Sequence, residues 1–258
     1  MGEDEHELTG GNASGRVVRV GNTVRKPWVD NTPVAQNYLA AVRARGVDTP
    51  RALGRDEFGR QIVEYVEGTI AQDRMPLDSD DLRRVGRMIR QIHDASESIP
   101  IPVPVPVPVP VEWKTLIPGD NPNLMCHNDL APWNLVIGER WVFIDWDGAA
   151  PSTRLWDLAY AAQAFGRLSE GEPVASAAGR LRAFVDGYEA DASLREALPT
   201  TMAKRTEAMF ELLRSSNDTG LQPWADMYAS GHGEFWRQAT EYVTRNHRAW
   251  ERALSLSA

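Results

Sequence analysis

The strongest constraint on the fold of this chain comes from two short apolar runs with a turn between them. Leu135–Ile137 and residues 141–144 flank the turn signal Gly138-Glu139-Arg140. Apolar runs rich in β-branched and aromatic residues around such a turn predict an antiparallel hairpin. If the turn is centred near Glu139-Arg140, Asn134 and Asp145 face each other at the open end of the hairpin.

Asn134 and Asp145 carry a chemistry that fits this position. An amide oxygen beside a carboxylate suits Mg²⁺, a hard cation that keeps several waters and also binds phosphate oxygens. Asp129 lies in the loop just before the hairpin, where it could accept a proton from an attacking hydroxyl. The segment therefore contains the parts needed to transfer a phosphoryl group.

Three motifs in this order resemble the aminoglycoside phosphotransferase and choline kinase-like family, whose members are small-molecule kinases. They are HNDLAPWN at 127–134, FIDWDGA at 143–149 and WDLA at 156–159. The resemblance implies an α+β, protein-kinase-like bilobal fold. We expect a small β-rich N-terminal lobe over residues 1–66 and a larger, mainly helical C-terminal lobe over residues 67–258.

The resemblance also implies roles for the residues that match these motifs. Asp129 corresponds to the catalytic base, and Asn134 and Asp145 to the metal ligands. His127 corresponds to a residue that braces the catalytic loop, a role we favour over direct chemistry. Asp157 corresponds to a structural acid that ties a helix start to that loop.

For two neighbouring residues we prefer roles outside the chemistry. Asp147 could touch a second metal, but a solvated or capping acid is the preferred interpretation. Cys126 is interpreted as a small buried residue at the end of a strand, because no base partner is evident.

The resemblance places the phosphoryl donor, ATP or GTP, against the N-terminal third of the chain. A glycine-rich loop at residues 9–15 would cover the phosphates, with Ser14 able to touch them. Arg25 and Lys26 end the next strand; because adjacent strand residues face opposite ways, only one can point at the nucleotide. The family pattern favours Arg25, with Lys26 second. The hinge between the lobes falls at Tyr65 and Val66.

One departure from the family pattern concerns the helix that Pro33 opens. A kinase-like fold carries a Glu on this helix to pair with the cation, but here Gln36 and Asn37 stand near that place. We therefore expect either no ion pair or a neutral hydrogen bond in its stead. Further on, the Pro/Val repeat within residues 98–111 predicts a stiff polyproline II spacer inside the C-terminal lobe.

Composition bounds the partners and the setting. A formal net charge of −8 argues against nucleic acid as the main partner and would suit a cationic acceptor. The one cysteine and the lack of a long apolar run fit a cytoplasmic protein without a membrane span. The predicted cofactors are Mg²⁺ and ATP or GTP; the oligomeric state is not predicted.

The acceptor itself stays open between two chemistries. An aminoglycoside would need an acidic pocket, for which the candidates are Glu207, Glu211, Asp218 and Glu234. A choline-like cation would need an aromatic cage, for which they are Trp224, Tyr228 and Trp236.

Three other function classes are open. A protein kinase is disfavoured, because Ala131 stands where Ser/Thr kinases carry Lys and the stretch after Asp145 is too short for a long activation loop. A metal-dependent hydrolase lacks further His or Asp ligands. A non-catalytic nucleotide-binding module is favoured only by the missing helix Glu.

Overall fold

A five-stranded antiparallel sheet and one helix form the N-terminal part of the protein. The computed structural model describes residues 5–8, 15–101 and 115–256. The strands are β1 (Glu5–Glu7), β2 (Val18–Val20), β3 (Thr23–Lys26), β4 (Ala52–Arg55) and β5 (Gln61–Glu64), in the order β1-β2-β3-β5-β4. Helix α1 (Thr32–Arg43) connects β3 to β4 and begins with the predicted proline in its first turn.

Two smaller sheets position the central motifs. Strand β6 (Thr69–Ile70) pairs with β8 (Leu135–Ile137), which pairs in turn with β9 (Trp141–Phe143). Strand β7 (Leu124–Cys126) pairs with β10 (Ala150–Ser152). The predicted hairpin is therefore present, and its first strand is joined to the chain that leaves the N-terminal sheet.

The rest of the described chain is mainly helical, as predicted. The helices are α2 (Ser79–Ser96), α3 (Arg154–Gly166), α4 (Val174–Tyr188), α5 (Ala192–Thr219), α6 (Trp224–Met227), α7 (Gly233–Arg245) and α8 (His247–Leu254). Asp78 caps α2 by accepting hydrogen bonds from the backbone N–H groups of Asp80 and Asp81, and one apolar stripe of α2 is buried. None of the described helices is long and apolar enough to cross a membrane.

Helices α2 and α4 cross with their backbones in direct contact. A Cβ atom on Gly86 would lie 2.2 Å from the carbonyl oxygen of Phe184, and one on Gly187 would lie 2.1 Å from that of Arg83. Only glycine fits at both positions, and the close crossing fixes α2 beside the strands that carry the central motifs.

The α+β class with a small sheet lobe and a larger helical part is confirmed. The lobe boundary at residues 66 and 67 stays a prediction. Ser14 and residues 102–111 of the Pro/Val repeat lie outside the described residues. In α7, Phe235 is 47% exposed, because the helix turns the adjacent Trp236 inward.

Candidate active site

The hairpin has a register one residue away from the predicted one. Leu135 pairs with Phe143 and Ile137 with Trp141, so the loop has three residues. Asn134 consequently lies opposite Ile144, whose N–H donates to the Asn134 carbonyl over 2.8 Å. Asp145 follows in a left-handed conformation, with φ 57°. Asn134 and Asp145 nevertheless line the same cavity.

The loop that carries Asp129 is held by buried side chains. Asn128 has a positive φ of 65°, and its backbone N–H donates to Asp157 Oδ1 over 3.0 Å. The other Asp157 oxygen lies 3.1 Å from Nε2 of His93 on α2. The interpretation of Asp157 as the acid that ties the helix start to this loop agrees with these contacts.

His127 braces the same loop from the other side. Its ring is fully buried, and Nδ1 accepts from the backbone N–H of Asp129 over 3.3 Å. Nε2 then carries the proton and donates to the Ile144 carbonyl over 3.1 Å. These two bonds link the Asp129 loop to the strand end that presents Asp145, which is the bracing role favoured from the sequence.

The side chain of Asn134 orients Asp129. Asn134 Nδ2 donates to Asp129 Oδ2 over 2.7 Å and to the Asp129 carbonyl over 3.0 Å. Its amide hydrogens point toward the base, so the Oδ1 oxygen of Asn134 is the atom left to face a cation.

The environment of Asp129 favours a proton acceptor. Burial raises the pKa of Asp129, and the nearby carboxylate of Asp145 raises it further. The polar hydrogens of Tyr160 and Trp133 lie close enough to lower the pKa again. A carboxylate with a raised pKa takes a proton more readily than an ordinary surface acid.

Lys26, and not Arg25, enters the cavity. Lys26 Nζ lies 2.7 Å from Asp145 Oδ1 and 2.8 Å from Asp147 Oδ2. Burial by itself would lower the pKa of Lys26, but these two carboxylates outweigh it and raise the pKa. Arg25 points to the other face of β3, where it donates to Thr23 Oγ1 and lies 3.6 Å from Asp56. The sequence-based preference for Arg25 over Lys26 is therefore reversed by the geometry.

A cavity of about 480 Å³ lies between strands β3 and β5 and the β8–β9 hairpin. This volume is within the range of small-ligand sites. One part of the lining is polar, with Lys26, Asn134, Asp145 and Asp147. Apolar side chains line another part: Val24, Val63, Val66, Val136 and Ile144. The cavity thus combines an apolar slot with a cluster of charges.

Both predicted hinge residues line this cavity. The backbone N–H of Tyr65 donates to the Asn22 carbonyl over 2.9 Å. Within the described part of the chain, the backbone groups of Val66 take part in no backbone hydrogen bond. The following Gly68 is packed so closely that a Cβ atom there would lie 2.6 Å from the Ile137 carbonyl oxygen, which joins the hinge to the hairpin.

Sequence reasoning missed several residues around these groups. Asp147 was interpreted as a solvated or capping acid, but it binds Lys26 and accepts from Gln61 Nε2 over 3.2 Å. The Asp-x-Asp spacing in FIDWDGA was the available signal. Tyr160 lies beside Asp129, and the Arg205 guanidinium lies 4.3 Å from the centre of its ring. No local pattern marks Tyr160 or Arg205, since they belong to different helices.

Residues 109–196 match the profile of the phosphotransferase enzyme family, APH. No curated protein matches the chain in sequence.

Among solved structures, the chain is similar to a choline/ethanolamine kinase family protein from Mesorhizobium loti. The identity is 18%, the coverage 96% of this chain and 92% of that one, and the TM-score 0.61. A microcompartment-associated aminopropanol kinase gives 15% identity, 98% and 95% coverage and a TM-score of 0.65. Spectinomycin phosphotransferase, solved in complex with ADP and spectinomycin, is 12% identical to this chain. The similarity covers 95% of this chain and 93% of that one, with a TM-score of 0.63.

These similarities confirm the resemblance found in the sequence. The fold is the protein-kinase-like fold of the choline kinases and aminoglycoside phosphotransferases. Together with the family match over residues 109–196, it makes the chain similar to phosphotransferases of the APH and choline kinase type.

Proposed function

We propose that this protein transfers the γ-phosphoryl group of ATP or GTP to a hydroxyl of a small molecule, with Asp129 as the base. One observation carries the proposal. Asn134 holds the Asp129 carboxylate over 2.7 Å and also lines the cavity in which Lys26 and Asp145 meet. A proton acceptor and a phosphate-binding cluster are therefore joined by a single side chain.

The cavity supports a nucleotide as the donor. Its apolar side chains offer a slot for a flat base, and the backbone of Val66 offers hydrogen-bonding groups at its rim. Lys26 then supplies the positive charge for the phosphates. The spectinomycin phosphotransferase that shares this fold was solved with ADP, which supports the same class of ligand here. Ser14 remains a proposed phosphate contact.

The donor set of Asn134 and Asp145 fits Mg²⁺. Both residues present oxygen, and the Asn134 amide hydrogens are already directed at Asp129. A Mg²⁺ ion held by Asn134 and Asp145 would supply positive charge to neutralise the charge that develops on phosphate oxygens. The Lys26 amine lies 2.7 Å from Asp145 Oδ1 and helps to hold that carboxylate at the cavity.

Asp129 would take the proton of the acceptor hydroxyl as the oxygen attacks phosphorus. His127 and Asn134 fix the loop and the carboxylate, so that much of the rate enhancement would come from positioning. The raised pKa of Asp129 makes it a better proton acceptor than an ordinary carboxylate.

The acceptor belongs to the small-molecule class on the strength of the fold and the family match. Among the candidates for an acidic pocket, Glu211 and Asp218 pair with Arg214, and Glu234 pairs with Arg237. Aromatic rings lie beside the base: Trp133, 37% exposed, contacts the ring of Tyr160, on which the buried Trp236 stacks. We favour a small alcohol that contacts aromatic surface over a polycationic one.

The lobes and the setting follow the same proposal. Residues 1–66 would form the nucleotide-binding lobe and residues 67–258 the catalytic and acceptor-binding lobe. A cytoplasmic setting agrees with a nucleotide donor and a single buried thiol, Cys126. The alternative of a non-catalytic nucleotide-binding module loses its main support, because Lys26 has carboxylate partners without a helix Glu.

Two measurements test the proposal in sequence. We expect ATP or GTP to raise the melting temperature only when Mg²⁺ is present. We then expect release of nucleoside diphosphate with at least one member of a panel of amino alcohols, choline, sugars, aminoglycosides and macrolides. Stabilisation without turnover on any acceptor would favour the binding module, and no stabilisation by either nucleotide would refute both.

A further inference from the structure

Helix α1 lacks the carboxylate that would hold a phosphate-binding lysine. Gln36 on α1 lines the cavity together with Lys26, and its Nε2 atom is buried and has no hydrogen-bond partner among the described residues. An amide can accept a hydrogen bond from an ammonium group but brings no charge to it. Some other group must hold Lys26 if the lysine is to keep one position.

The contacts of Asp147 suit it to hold Lys26. Strand β3 places Lys26 opposite Gln61 of β5, and Gln61 is 1% exposed. Gln61 Nε2 donates to both Asp147 oxygens over 3.2 Å and to the Pro27 carbonyl over 3.0 Å. Strands β3 and β5 therefore carry both Lys26 and Gln61, the side chain that holds the Asp147 carboxylate in place.

The backbone of the same segment is tied to the start of α1. Asn31 Nδ2 donates to the carbonyl of Asp147 over 3.4 Å and to that of Ala149 over 3.3 Å. Asp147 is thus held at its side chain from β5 and at its backbone from α1. A solvated surface acid would show neither contact, and the Asp147 side chain is only 28% exposed.

Asp145 and Asp147, the two carboxylates that contact Lys26, differ in their other proposed contacts. Asp145 is the proposed metal ligand, so its oxygens are shared with the cation when nucleotide binds. Asp147 has its own support from Gln61 and stays free to hold the lysine. We propose that Asp147, held by Gln61, is the positioning residue for Lys26 and replaces the missing carboxylate of α1. This inference rests on the proposed function, because it assumes that Lys26 binds nucleotide phosphates.

The test compares the nucleotide affinity of three single variants, and of a rescue variant, by titration calorimetry with Mg²⁺. Asp147→Asn should weaken ATP or GTP binding by about tenfold or more, the effect of a lost hydrogen bond to a charged group. Gln61→Leu, which keeps the carboxylate but removes its support, should weaken binding less. Asp30→Asn, an exposed acid before α1, is the matched control and should bind like the wild type.

A rescue variant separates positioning of Lys26 from direct metal binding. Adding Gln36→Glu to Asp147→Asn returns a carboxylate to α1 and should recover most of the lost affinity. The Mg²⁺ concentration for half-maximal stabilisation should be the same in Asp147→Asn as in the wild type. If it rises in step with the loss of affinity, and Gln36→Glu recovers nothing, Asp147 is a metal ligand and the positioning role is wrong.

Failure of this inference and failure of the proposed function give different results. If the wild type binds neither nucleotide, the proposed function fails and the positioning role fails with it. If the wild type binds and Asp147→Asn binds equally well, only the positioning role fails. A double-mutant cycle of Lys26→Met and Asp147→Asn, read as unfolding free energies without nucleotide, should show coupling; additive effects would contradict the pairing.

Discussion

The loop that carries the proposed base depends on one fully buried carboxylate, Asp157. Its Oδ1 accepts from the backbone N–H of Asn128 over 3.0 Å, and its Oδ2 lies 3.1 Å from His93 Nε2. His93 Nδ1 lies 2.8 Å from the hydroxyl of Tyr188 on α4. Asp157→Ala removes the acceptor for two buried groups at once and cuts the connection from the loop to α2 and α4.

The expected loss of stability follows from these two contacts. Leaving one buried polar group without a partner lowers the unfolding free energy by about 1–3 kcal/mol. Two such groups therefore lower it by about 2–6 kcal/mol. In a chain of this size each kcal/mol lowers Tm by roughly 2–4 °C. Differential scanning calorimetry should therefore find Asp157→Ala lower in Tm by about 4–24 °C.

Asp94→Ala is the matched control for this prediction. Asp94 is an acid on α2 that pairs with Arg90 and Arg154, but its side chain is 47% exposed. Such exposed pairs contribute about 0–1 kcal/mol, so the change in Tm should be small. Equal losses in the two variants would refute the reasoning that burial of Asp157 makes its bonds indispensable.

Three further predictions concern the cavity and its surroundings. Lys26→Met should weaken nucleotide binding in calorimetry by about tenfold or more, while Arg25→Met, the matched control on the opposite face of β3, should change it little; equal losses would contradict the assignment of Lys26. Tyr160→Phe removes a group that lowers the pKa of Asp129, so the acid limb of the pH profile of kcat/KM should move to higher pH, and an unchanged limb would separate Tyr160 from the base. Gly68→Ala places a methyl group 2.6 Å from a facing carbonyl at φ 153°, so denaturant unfolding should show a loss of about 1–3 kcal/mol, and wild-type stability would contradict the close packing of the hinge.

The sequence was most informative where the chemistry is local. Asp129, Asn134 and Asp145 lie within one loop and one hairpin, and the spacing alone placed them together. The register still differed by one residue, because the hairpin has a three-residue loop. The left-handed backbone of Asp145 directs its side chain into the cavity despite that difference.

The sequence was least informative where one strand had to be placed against another. The choice between Arg25 and Lys26 depends on which face of β3 meets the cavity, and a shift of one residue exchanges the two faces. That face is fixed by pairing of β3 with β5, in which Lys26 lies opposite Gln61. The sequence also did not predict that Gln61 contacts Asp147, since Gln61 lies 86 residues earlier in the chain.

The central claim is that Asp129 acts as the base while Lys26, Asn134 and Asp145 hold the nucleotide and metal. The most direct test is Asp129→Asn, assayed with an acceptor found in the panel and compared with Asp120→Asn, an exposed acid outside the site. We expect nucleotide affinity within about twofold of the wild type and turnover lower by about 10²–10⁴-fold, the contribution of general base catalysis. Turnover of Asp129→Asn at the rate of the wild type and of Asp120→Asn would contradict the account.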